Sequence, residues 1–169
     1  MLQVDLRELA RGPVETRAEL AADDPLFTGA GVVFAEPIDV AGRLQATGAE
    51  RFYWQGSVRT VVAGECRRCL AAVPVPVAAE VGVLFAPEAE AADDPDAYPL
   101  ARDARVIDVT PAVREEVILA VPRYVLCRED CRGLCPRCGQ NLNAGPCGCP
   151  PATAPRWQAL AALKGKPRA

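Results

Sequence analysis

Eight cysteines and no histidine set the chemistry open to this 169-residue chain. Four of the cysteines fall within fifteen residues, in the stretch CPRCGQNLNAGPCGC at 135–149. A Cys-x2-Cys turn delivers two thiolates to one side of a metal ion, and Cys135, Cys138, Cys147 and Cys149 have close to the spacing of a tetrahedral zinc site. The other four are Cys66 and Cys69, a second Cys-x2-Cys knuckle, and Cys127 and Cys131, whose x3 spacing can also converge on one ion. They are expected to form a second four-thiolate site, stapling together parts of the chain nearly sixty residues apart. Either site, closed by four thiolates, leaves no coordination position for water, so the metal is expected to be structural and not hydrolytic.

Without histidine the chain lacks the usual general base near neutral pH and the usual partner of a Ser or Cys nucleophile, and no enzymatic activity is expected. Asp93, Asp94 and Asp96 sit in an acidic, Ala/Pro-rich run and read as solvated linker, not as a catalytic carboxylate pair. The knuckle Cys66-Arg67-Arg68-Cys69 has an alternative use as a redox dithiol, its thiolates favoured by the adjacent arginines. Its place between two β-type runs, and not at a helix N-terminus, speaks against that use. Arginines interleave with the ligands at Arg67, Arg68, Arg128, Arg132 and Arg137. Loops folded by metal would hold these guanidiniums on a rigid platform able to bind phosphates bidentately, which makes them candidate contacts for RNA or a protein partner. Solvated arginines that merely offset thiolate charge are the equal alternative.

The elements that must position these groups are read from periodicity. Leu2, Val4 and Leu6 alternate with polar residues as a first strand, whereas 18–34 is weakly patterned. Runs at 38–46 and 52–62 alternate around a turn at 47–50 and form an antiparallel hairpin. A third run at 73–85 places the 66–69 knuckle at a hairpin tip, and Pro74 and Pro76 assign its start to an edge or bulge. Residues 86–103 read as a long mobile connection. A helix over 109–121 follows, with Asp108 or Thr110 as cap, Pro111 in the first turn, Pro122 as stop, and Val113, Val117, Ile118 and Val121 facing the core. A last short helix is expected at 155–163. The fold class is therefore α+β: a small antiparallel sheet or partial barrel with a packed helix, and a C-terminal zinc-ribbon-like segment. The division falls between a body at 1–126 and a Cys-rich segment with its helix at 127–169.

The net charge of −3 hides an asymmetry, because the last 39 residues carry +6 and the first 130 carry −9. Four thiolates around a dication would lower the tail to about +4. A basic tail suggests an anionic partner, yet a sequence pI of about 5.1 is poor for general RNA binding. Contact must then be local, or made to a basic protein through the acidic body. The apolar stretches are too short for a membrane span, and Asp5, Arg7 and Glu8 interrupt the place where a signal peptide needs apolar residues. A cytoplasmic location is expected, where thiols favour metal over disulfides. No small-molecule substrate is indicated.

ECRRCL at 65–70, CREDCRGLCPRCGQNLNAGPCGC at 127–149 and PRWQALAAL at 155–163 resemble the YceD family, the large ribosomal RNA subunit accumulation proteins. LRELARGP near the start and EEVILAVP in the helix are similar to that family in the same order; Ala154 departs from it, standing where an Asp is expected. The resemblance implies a non-enzymatic role in 23S ribosomal RNA accumulation or processing during large-subunit assembly, in the bacterial cytoplasm, with organellar relatives in plants. A zinc-ribbon adaptor between proteins and, behind it, a thiol redox sensor are the alternative functions.

Overall fold

The computed structural model describes residues 2–94 and 96–150; the helix expected at 155–163 lies outside them. In chain order the elements are β1 (Gln3–Asp5), α1 (Leu6–Leu9), β2 (Val14–Leu20), β3 (Ile38–Gly48), β4 (Arg51–Glu65), β5 (Ala72–Pro87), α2 (Glu88–Ala91), β6 (Ala97–Leu100), β7 (Val106–Asp108) and α3 (Thr110–Ala120). Five strands form one sheet in the order β2-β3-β4-β5-β6, while β1 and β7 pair separately. All neighbours are antiparallel except β6, which joins β5 in parallel. The fold is α+β as expected, and the sheet is open, with β2 and β6 as its edges. Among the described residues no helix is long and apolar enough to cross a membrane.

Alternation along β3, β4 and β5 sends Val40, Leu44, Trp54, Val58, Val77, Val81 and Val83 to one buried face. Trp54 sits at its centre, fully buried, and its indole N–H donates to the Thr16 hydroxyl on β2 at 2.8 Å. The ring lies over Gly42 and Gly56, which face each other across β3 and β4. A Cβ at either position would come within 2.6 Å of the ring, so a side chain larger than hydrogen cannot share this layer with tryptophan. Helix α3 closes the face with Ala112, Val113 and Val117, all without solvent exposure, while Ile118 is half-buried. Arg114 ties the helix to the 25–27 turn through a 2.8 Å bond from Nε to the Leu26 carbonyl.

The long β4–β5 hairpin carries the knuckle at its tip. Val61 and Ala63 direct backbone groups to Ala35 and Val33, away from β5, so the residues opposite them, Pro76 and Pro74, have no donor to supply. β6 pairs only with Leu84–Pro87, which leaves the proline-bearing half of β5 as the expected edge.

Two readings change. The weakly patterned stretch from residue 18 begins inside β2, whose one buried polar residue, Thr16, stands at an inward position because it accepts the indole N–H. The mobile connection expected over 86–103 instead holds α2 and β6. Arg51 bonds Glu90 at 2.7 Å, the Tyr98 ring packs 5.7 Å from Phe85, and the Tyr98 hydroxyl donates to Glu115 on α3. Asp93, Asp94 and Asp96 are exposed, as a solvated run should be.

The N-cap position of α3 falls on Val109, which makes no side-chain cap bond, and not on Asp108 or Thr110; the first helical N–H is instead met from one residue earlier, by Asp108. Its Oδ1 accepts from the Thr110 N–H at 2.9 Å and its Oδ2 from the Gln3 amide at 3.0 Å. Burial pushes the Asp108 carboxyl up, but these donors outweigh it and hold it below its ordinary value. Asp108→Ala, which removes both hydrogen bonds, is expected to lower stability by about 1 kcal/mol at neutral pH. A depressed carboxyl contributes its stability above the unfolded value near about 4 and loses it as pH falls through the folded value. Urea midpoints of wild type and variant should therefore draw together on acidification; a gap that widens in acid would contradict this role of Asp108.

Candidate metal centres

The eight cysteines are free thiols gathered into two groups, Cys66/Cys69/Cys127/Cys131 and Cys135/Cys138/Cys147/Cys149. Within each group all four sulfurs lie within 4.8 Å of one another. In the first, at the sheet tip, Cys66 and Cys131 sulfurs are 3.7 Å apart and those of Cys69 and Cys127 are 3.6 Å apart. Zinc–sulfur bonds of about 2.3 Å in a tetrahedron give edges of about 3.8 Å, whereas a disulfide needs about 2.05 Å. The donor set fits a tetrahedral metal and not a pair of cystines.

Local folding explains how the sheet-tip group assembles. After β4 the chain turns at Cys66, whose N–H bonds the Ala71 carbonyl and whose carbonyl accepts from Leu70 N–H. Leu70 takes a positive φ of 58° to close the knuckle. The returning segment docks beside it: Arg67 N–H bonds Val125 O at 2.9 Å and Leu134 N–H bonds Arg68 O at 3.0 Å. Gly133 makes that approach possible, because at φ +74° a Cβ there would stand 2.9 Å from the Arg68 carbonyl.

The electrostatics match the geometry. Backbone amides of Cys127, then Cys69 and Arg68, point at Cys66 and draw its thiol down to about 6 against burial. Amides of Cys138 and Arg137 do the same for Cys135, also to about 6. The Asn143 carboxamide lowers Cys131. Burial and neighbouring thiolates push Cys127 up to about 12, and the bond with Cys138 followed by burial pushes Cys149 up to about 12. Four thiols this close cannot all ionise by themselves; a central dication reverses that balance and deprotonates them together.

The arginines divide by engagement. Arg68 spans the knuckle and the returning chain, its Nη1 donating to Cys131 O at 2.9 Å and Glu129 O at 3.2 Å. Arg67 donates to Arg123 O and stacks over the exposed Tyr124 ring at 4.5 Å. Arg128 pairs with Asp130 at 3.2 Å and donates to Asn143. The guanidiniums of Arg132 and Arg137 are exposed and engage no protein group among the described residues. Sequence reasoning passed over Asn143, which touches both Arg128 and Cys131; the only signal was its place within GQNLN.

Residues 54–164 match the model of the family described as Large ribosomal RNA subunit accumulation protein YceD. The chain belongs to the YceD family. All eight cysteines of this family member fall inside the matched stretch. A Mycobacterium tuberculosis protein described as uncharacterized is 35% identical over 114 residues, 65% of this chain and 54% of its own. A Mycobacterium leprae protein, also described as uncharacterized, is 30% identical over 118 residues, covering 68% and 54%. The Arabidopsis thaliana protein named Large ribosomal RNA subunit accumulation protein YCED homolog 1, chloroplastic, is 27% identical over 122 residues, covering 56% and 38%. The chain spans about half the length of the mycobacterial relatives. No solved structure matches this YceD-family chain.

Proposed function

We propose that this chain is a non-enzymatic, zinc-containing factor that supports 23S ribosomal RNA accumulation in large-subunit assembly, in the cytoplasm. The observation that carries the reading is that the YceD match encloses both four-thiol groups. Zinc is the metal because an all-thiolate tetrahedral donor set favours it over harder divalent ions. Saturated thiolate coordination supports a shape-holding role, in keeping with a chain that has no histidine.

The partner is ribosomal RNA or a pre-large-subunit particle. Arg67, Arg68 and Arg128 already bond protein groups, so contact with phosphate falls first to Arg132 and Arg137, displayed beside the metal-folded loops. Crosslinking the tagged protein to RNA in growing cells, then sequencing the recovered RNA, should enrich precursor 23S segments over 16S. The double variant Arg132→Glu/Arg137→Glu should lose that enrichment and, in vitro, lower the salt slope of RNA binding by about 2. Wild-type recovery at background would instead favour an adaptor that meets a basic ribosomal protein through the acidic body.

A further inference from the structure

Asn143 lies between Cys138 and Cys147, so its backbone belongs to the loop of the C-terminal thiol group. Its side chain serves the other group. Nδ2 donates to the Cys131 sulfur at 3.2 Å, while Oδ1 accepts from the Arg132 N–H at 2.8 Å and from Arg128 Nη2 at 3.0 Å. The loop is held in that pose from both sides. Leu142 N–H bonds Gly133 O at 2.9 Å, Cys135 N–H bonds Gln140 O at 2.8 Å, and Leu134 bridges Asn141. Asn141 Oδ1 accepts the Asn143 N–H at 3.0 Å and fixes the turn that aims the carboxamide.

We infer that Asn143 is a positioning residue that couples the two centres, so that metal bound by Cys135, Cys138, Cys147 and Cys149 strengthens metal binding by Cys66, Cys69, Cys127 and Cys131. The inference rests on both groups holding metal. A carboxamide suits the position because it donates to sulfur with one atom and accepts from two donors with the other. Aspartate keeps the shape but removes the donor and places a carboxylate against four thiolates. Partners of this kind, which touch a ligand and not the metal, alter metal affinity about 10–100-fold when removed. The coupling is reciprocal, as any equilibrium linkage must be. The C-terminal group closes within 135–149, whereas Cys69 and Cys127 are 58 residues apart, so the local centre forms with less chain ordering and fills first.

The test uses the reduced, metal-free full chain titrated with zinc against a chromophoric chelator, with cobalt spectra to follow thiolate coordination. Wild type should take two ions. Asn143→Ala and Asn143→Asp should weaken one of them by about 10–100-fold and leave the other unchanged. Cys147→Ser/Cys149→Ser should bind a single ion, at the sheet tip, weakened by a similar factor. In Cys66→Ser/Cys69→Ser, which keeps only the C-terminal ion, adding Asn143→Asp should change nothing. Two ions with wild-type affinities in both Asn143 variants, or a full-strength sheet-tip ion in Cys147→Ser/Cys149→Ser, would overturn the coupling while leaving both centres standing. A wild type that takes fewer than two ions would remove the two-centre reading and the coupling together.

Discussion

With metal in the two thiol groups as proposed, chelation under reducing conditions should free residues 127–149 from the sheet while leaving the sheet folded. This segment contributes little that can hold it otherwise: between residues 121 and 150 there is no helix or strand, and the Leu134–Asn141 bridge is its one β contact among the described residues. Its buried members are Cys131, Gly133 and Cys135, of which two are candidate ligands. Structural zinc contributes roughly 10–16 kcal/mol of apparent binding free energy in small metal-folded units, and under the proposed function that energy would be the folding energy of the segment. Hydrogen exchange reads the outcome residue by residue. The amides of Leu134, Cys135, Gly139 and Leu142, bonded in the native loops, should lose protection, whereas strand amides around Val58 and Val81 should keep it. Acid should act in the same direction as the chelator, because protons compete with the metal for each thiolate. Unchanged protection in the loops after complete chelation would show that packing alone holds them.

Trp54→Ala should be the most damaging single change in the sheet. Removing a fully buried tryptophan costs about 3–5 kcal/mol through lost transfer energy and the cavity left behind. Little can collapse into that space, since Gly42 and Gly56 have no side chains to move. The Thr16 hydroxyl also loses its donor, at a buried site. Urea unfolding followed by circular dichroism checks the size of the effect. Trp54→Phe, which restores part of the ring but not the N–H, should recover a fraction of the loss. A midpoint unmoved by Trp54→Ala would mean that the sheet centre does not limit stability.

What the sequence disclosed and what it hid follow from range. The β3–β4–β5 hairpins were legible because their alternation is local and strong, and the knuckle's place at a hairpin tip follows from two such runs. The pairing of Cys66 and Cys69 with Cys127 and Cys131 was legible only as an expectation, since it depends on α3 returning the chain to the tip. β2 escaped because the polar Thr16 interrupts its inward face, and its reason for being there is a tryptophan 38 residues away. β6 escaped because an Ala/Pro-rich acidic run carries the signature of a linker; Tyr98 reaches Phe85 and Glu115 only in the folded chain. Asn143 was invisible for a related reason. An asparagine in a glycine-rich loop reads as a turn residue, and nothing local marks it as a donor to a thiolate in the other group.

Native mass spectrometry of the full chain, purified without added metal and compared before and after acid treatment, tests the two-centre account most directly. Two zinc ions per chain are expected, with the acid-treated protein mass showing all eight cysteines reduced. One ion or none, or a mass lowered by disulfide formation in place of metal, would contradict it.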